Sequence, residues 1–217
     1  QLGAALGHTE VIDSAVPATC TETGLTEGKH CSVCNTVLVK QDVVDALGHS
    51  FTDWTVTVQP TYTTEGTQQR TCINGNHTET KPVPMLKMVN LWNLVLGEGI
   101  RMNFVANVTA DQAENATVEV VVNGTSETFA MNNLPVNEEG FAVVTANVSA
   151  AQMTDTVTLN FTVNGEQVTK TYTVRQYADY VLDDANGFDD VTKALVQAML
   201  HYGAAAQDYF DYNEGSF

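Results

Sequence analysis

Apolar positions are sparse over the first 84 residues and fall in short alternating runs, of which Trp54-Thr55-Val56-Thr57-Val58 is the clearest. Alternation of this kind predicts half-exposed strands. Lys81-Pro82-Val83-Pro84 interrupts the pattern and predicts a linker. Beyond it, strand-like runs follow at about residues 88–94, 100–108, 117–122, 125–130, 141–148, 156–163 and 167–174. Asn123-Gly124 and Asn164-Gly165 each separate two such runs, the pattern of a two-residue hairpin turn. Seven short strands with turn signals between them predict an antiparallel β-sandwich of Ig-like architecture.

The period changes again near the C-terminus. Tyr177–Leu182 reads as a first helix, Asp183–Phe188 as a loop, and Asp189 or Asp190 as the cap of a second helix reaching about Phe210. Leu195, Met199, Tyr202, Ala206 and Tyr209 recur at helical spacing and predict the buried face, with small residues nearby for close approach. The expected fold is mainly β: small stapled repeats, then the sandwich, then a helical hairpin packed on it.

An internal repeat sets the organisation. Ala5-Leu6-Gly7-His8 returns as Ala46-Leu47-Gly48-His49, a period of about 41 residues. Thr19-Cys20-Thr21-Glu22-Thr23-Gly24 corresponds to Thr61-Tyr62-Thr63-Thr64-Glu65-Gly66, and the surroundings of Cys31 to those of Cys72. The expected domains are therefore a cysteine-bearing repeat at 1–45, a degenerate copy at 46–84, the sandwich at 85–175 and the hairpin at 176–217. Repeats this short cannot bury a sizeable core, so a covalent or metal staple is expected.

Charge narrows the partners. Nine Lys and Arg stand against 26 Asp and Glu, a formal net charge of −17. Such a surface repels phosphate backbones and anionic headgroups, which argues against nucleic acid and membrane as partners. No run approaches the roughly 20 apolar residues of a membrane span, so no membrane insertion is expected within this chain. The opening residues lack a basic region followed by an apolar one, and they begin inside the repeat pattern; the expectation is a segment of a longer chain.

Leu47-Gly48-His49, Trp54-Thr55-Val56-Thr57, Thr19–Gly24 and Cys31-Ser32-Val33-Cys34 resemble repeats of large secreted and wall-anchored proteins of gut Gram-positive bacteria. The run Ala194–Ala204, with Tyr177-Ala178-Asp179-Tyr180 before it, resembles a second module of such proteins. The resemblance implies an extracellular, secreted or wall-anchored location and a modular architecture. It supplies no activity, because such modules accompany enzymes, adhesins and host-protein binders alike.

The cysteines carry the chemistry. Cys31 and Cys34 form a CxxC knuckle; adding Cys20 and one imidazole, His49 or His8, gives a closed Cys₃His set suited to structural zinc. His30 reads equally as a solvated strand residue. The rival is disulfide bonding, in which Cys72 pairs with one of the other three, and four cysteines allow three pairings. In the second repeat Tyr62 and Gly75 replace two of the cysteines, leaving His49, Cys72 and His77 as a weaker metal set, against packing by Trp54 and Tyr62.

No catalytic motif is present, and a Cys72–His77 nucleophile pair lacks a third orienting group. The acidic run Asp183–Asp190 departs from calcium-loop spacing and reads as helix capping. A Lys–Asn crosslink from Lys87 or Lys170 has no evident partner. Trp92 reads as core, and Tyr209, Phe210 and Tyr212 as packing on the sandwich, with a sugar platform as the alternative. The function expected is a non-catalytic module, monomeric, binding a host protein such as immunoglobulin or mucin. The alternatives are a structural spacer or an accessory carbohydrate-binding module that takes a host glycan.

Overall fold

The computed structural model describes residues 7–75, 77–97, 99–213 and 216. Gln1–Leu6, with the Ala5-Leu6 of the first repeat signature, lies outside them, as do Glu214, Gly215 and Phe217 of the expected hairpin segment. The chain divides into two compact units, residues 1–60 with 65–84 and residues 61–64 with 85–217. The first repeat and all of the second except residues 61–64 thus fall within one unit, and the sandwich and helices within the other.

The first unit holds β1 (Glu10–Asp13), β2 (Gly24–Leu25), β3 (Gly28–Cys31), β4 (Val37–Val39), β5 (Val43–Val44), β6 (Thr55–Val58), β7 (Gly66–Thr71) and β8 (Thr78–Val83). The sequence repeat returns as topology: β1-β3-β4 and β6-β7-β8 are both three-stranded antiparallel sheets with the later copy in the same order. A small β2-β5 pair accompanies the first. The Pro82 linker expectation is corrected, because β8 runs through it opposite Thr67. Proline is tolerated there because β8 is an edge strand and needs no outward N–H.

Local bonds repeat with the sheets. The Thr19 amide donates to the Glu22 carbonyl at 3.0 Å, and that of Thr61 to Thr64 at 2.9 Å. Thr19 Oγ1 accepts the amides of Thr21 and Glu22, as Thr61 Oγ1 accepts those of Thr63 and Thr64. A glycine closes each turn because nothing larger fits. A Cβ on Gly24 would lie 2.4 Å from the Val16 carbonyl oxygen, and one on Gly66 2.5 Å from that of Val58.

This unit has almost no hydrophobic core. Its buried apolar side chains, among the described residues, are those of Cys20, Cys31 and Cys72. Its valines instead face solvent, among them Val37, Val43, Val56 and Val58. The second repeat gains some order from a cation–aromatic stack: Lys81 Nζ lies 4.3 Å from the Trp54 ring, and Arg70 lies 4.8 Å from Trp54 and 4.1 Å from Phe51. Arg70 is held by Glu79 at 2.7 Å. Trp54 therefore packs as expected, whereas Tyr62 lies in the other unit.

That second unit is a sandwich of the expected class. Its strands are β9 (Val89–Leu96), β10 (Ile100–Ala106), β11 (Thr117–Val122), β12 (Thr125–Ala130), β13 (Val143–Val148), β14 (Val157–Val163) and β15 (Glu166–Tyr172). They form sheets β13-β10-β9 and β12-β11-β14-β15, antiparallel throughout. Alternate residues point inward: Met102 and Phe104 on β10, Val144 and Ala146 on β13, Leu159 and Phe161 on β14. Asn123-Gly124 and Asn164-Gly165 join hairpins with positive φ at both residues, the combination a two-residue turn of this twist requires. Trp92 is half-buried and packs on Phe104, Tyr172 and Tyr177.

A one-turn helix, α1 (Ala110–Ala113), precedes β11, and the chain ends in α2 (Val174–Leu182) and α3 (Asp190–Phe210). The first helix of the hairpin starts three residues earlier than expected, at a capping box in which Thr173 Oγ1 accepts the Gln176 amide. The acidic loop is used for capping: Asp183 accepts from Ala185, Asp189 accepts the Thr192 amide, and Asp184 binds Lys193. The expected face of α3 is partly wrong. Val196, Met199, Gly203, Ala206 and Gln207 are buried, whereas Leu195, Tyr202 and Tyr209 are exposed. Phe210 is exposed too, and Tyr212 is half-buried with its hydroxyl donating to Asp155. No helix among the described residues is long and apolar enough to cross a membrane.

Candidate metal centres

Four cysteines and two histidines of the first unit, His8 and His49, converge at two places. In the first repeat, Gly7 adopts φ +67°, which turns the chain so that His8 lies beside the end of β3. Cys31 closes that strand and Asn35, at φ +57°, turns the knuckle. The Cys31 amide donates to Thr36 and the Asn35 amide to Cys31, folding Cys34 back. His8 Nδ1 comes to 3.4 Å from Cys34 Sγ, and Thr36 Oγ1 to 3.2 Å. The donor atoms of His8, Cys31 and Cys34 all lie within 4.8 Å of one another.

The second repeat reproduces this frame with Gly48 at φ +70°, His49 after it, and the Cys72 amide bonded to His77 at 2.8 Å. The Ser32–Thr9 backbone bond has its counterpart in Ile73–Ser50. Here the three converging donors are Cys20, His49 and Cys72, again within 4.8 Å. His49 stacks on Phe51, with ring centroids 5.1 Å apart, and His77 lies 4.7 Å from His49 by the same measure. His77 occupies the position that Thr36 holds in the first repeat, adjacent to the donors but outside the group of three.

These distances suit one ion at each place. Zinc bond lengths of about 2.0–2.3 Å put tetrahedral donors roughly 3.3–3.8 Å apart, so modest side-chain rotation closes either group. All four thiols are unbridged. At Cys31 and Cys72 the environment favours thiolate, which is the form that ligates. Amides of Cys34 and Val33, together with His8, lower Cys31 to about 6. Burial opposes ionisation of Cys72, but amides of Ser50 and Asn74 and the Cys20 thiol outweigh it and bring Cys72 below the ordinary thiol range. His8 is raised by its bonds to Cys31 and Cys34.

All five residues expected at a metal site are therefore near one another in kind but not in one set. Cys31, Cys34 and His8 come together; Cys20 leaves them and joins His49 and Cys72. Among the described residues the donors fall into two groups of three, where the expectation was one Cys₃His set. Cys72, read from sequence as a weak ligand beside His77, is a full member of the second. His30 instead bonds Asp13 at 2.8 Å on the neighbouring strand. The unequal count in sequence, three cysteines in one repeat and one in the next, was the available signal that the groups exchange a member.

The second unit carries a cleft of about 720 Å³ lined by Leu96, Ile100, Leu195, Met199, Tyr202 and Phe210 among others. The chain matches no protein-family model, and no curated protein matches it either.

Proposed function

We propose that the chain is a non-catalytic structural module of a secreted or cell-surface protein, in which two repeats stapled by zinc accompany an Ig-like sandwich. One observation carries this reading: the only apolar side chains buried in the first unit, among the described residues, belong to cysteines that converge with histidines. A unit of this size without an apolar core cannot offset its chain entropy by burial alone. Metal–ligand bonds at two points supply what the core does not. Donor sets rich in thiolate suit a structural ion, and extracellular placement rests on the resemblance of the repeats to surface-protein modules.

The test is elemental analysis of protein purified without added zinc, together with a thiol count after denaturation. Two zinc equivalents and four reactive thiols are expected. Absence of metal together with absence of free thiols would mean disulfide-bonded repeats and would overturn the proposal.

A second reading, binding of a host protein, is favoured by the exposed Leu195, Tyr202 and Phe210 along the 720 Å³ cleft. Immobilised chain should then capture purified immunoglobulin or mucin, and Tyr202→Ala with Phe210→Ala should abolish capture. Silence toward both removes this reading, and a response confined to glycans would make the module carbohydrate-binding.

A further inference from the structure

The second donor group does not respect the sequence repeat: His49 and Cys72 belong to one copy and Cys20 to the other. The reason lies at Gly75. The paired backbone bonds equate Cys31 with Cys72 and Ser32 with Ile73. By the same register Gly75 stands where Cys34, the second thiol of the knuckle, stands in the first repeat. A Cβ on Gly75 would lie 3.1 Å from Cys20 Sγ and 3.3 Å from the Cys20 amide nitrogen. The knuckle has lost its own thiol, and a thiol from the preceding repeat is seated in the room left behind. The turn that carries it is anchored to the second repeat, since the Thr19 carbonyl accepts the Leu47 amide at 2.9 Å. On the other side Asn74 Nδ2 donates to the Gly48 carbonyl at 3.2 Å, which holds the knuckle against the Gly48-His49 corner.

We propose that Cys20 replaces the missing knuckle thiol, so that one metal ion bound by Cys20, His49 and Cys72 clamps the two repeats together. This rests on the zinc-staple reading above and adds to it that the second site is shared. Each thiol that binds gives its proton to solvent, and no redox step is involved. The first site, His8 with Cys31 and Cys34, lies within one repeat. The two ions thus differ in what they hold: one fixes a knuckle, the other joins two copies.

The exchange can be reversed by design. Gly75 does not adopt a positive φ, so a cysteine there meets no backbone strain, only the crowding from Cys20 itself. Cobalt(II) is the probe, titrated into metal-free, reduced full-length chain, with equivalents bound and the thiolate-to-cobalt charge-transfer band as readouts. Wild type should take two equivalents. Cys20→Ala should take one, and Cys20→Ala with Gly75→Cys should return to two, with the band intensity of two thiolates at the second site restored. Cys34→Ala should weaken the first site and leave the second unchanged, which controls for general unfolding. Two equivalents in Cys20→Ala would overturn the proposal, and one equivalent in the double variant would overturn the replacement of the knuckle thiol by Cys20. No metal in wild type would overturn the zinc-staple reading itself, a result distinct from either.

Discussion

Tyr62 occupies in its turn the position that Cys20 occupies one repeat earlier, and the change of residue changes its surroundings. Its ring is buried in the second unit, and its hydroxyl donates to the Asn107 carbonyl at 2.5 Å, with Gln112 Oε1 beside it. Tyr62→Phe removes that donor and leaves the carbonyl of the half-buried Asn107 without it. The sandwich should lose about 1–2 kcal/mol, read from urea unfolding followed by tryptophan fluorescence. Glu166 anchors the same turn, accepting the Tyr62 amide and the Thr63 hydroxyl, each at 3.2 Å. Bonds from Thr61, from the Tyr62 amide and from Thr63 lower its carboxyl below the ordinary glutamate range, against some desolvation. A lowered folded-state value stabilises the fold above the unfolded glutamate range, and this contribution disappears as pH falls through the folded value. Unfolding midpoints measured from about pH 6 to pH 3 should therefore fall less steeply in Glu166→Gln than in wild type.

At the scale of elements, α3 shows which contacts count. Met199 is buried against the sandwich side, whereas Tyr202, three residues on, is 68% exposed. Met199→Ala should cost about 2–4 kcal/mol and Tyr202→Ser less than about 0.5, a contrast measurable by chemical denaturation. The sequence made the seven strands legible because period-two alternation and Asn-Gly turns agree with one another. The helix was less legible for a physical reason. Leu195, Val196, Met199, Leu200 and Tyr202 spread apolar character over an arc of about 160°, so periodicity alone does not fix which edge of that arc is buried. Packing chooses it: Gly203 and Ala206 permit close approach, and the buried Gln207 donates its amide to the Ala151 carbonyl at 2.9 Å. At the metal groups, the ligand types were legible and their partition was not. Cys20 lies in one repeat by sequence and in the next repeat's site by folding, and the Gly75 contact shows why.

For the whole molecule, the two units rest on different forces. The sandwich buries Phe104, Phe161, Met102 and Leu159 almost completely, and no metal group lies among its described residues. The first unit has cysteines where a core would be. Chelation by a strong zinc ligand should therefore abolish the protected amides of residues 7–60 and 65–84 in hydrogen exchange while leaving β9–β15 protected. Thermal scans should then lose one transition and keep the other. Uniform loss of protection in both units would contradict this division.

The solvent-facing valines of the first unit acquire a meaning from that dependence. Val37, Val39, Val43, Val44, Val56 and Val58 sit on two- to four-residue strands, too short to offer a long open edge while the sheets are held. Freed of the proposed staples, the same stretches would be β-branched, nearly uncharged and available to one another between molecules, which is the composition of fibril-forming segments. Metal occupancy would then govern colloidal fate as well as fold, with a chain starved of zinc passing toward insoluble assemblies instead of a dispersed coil.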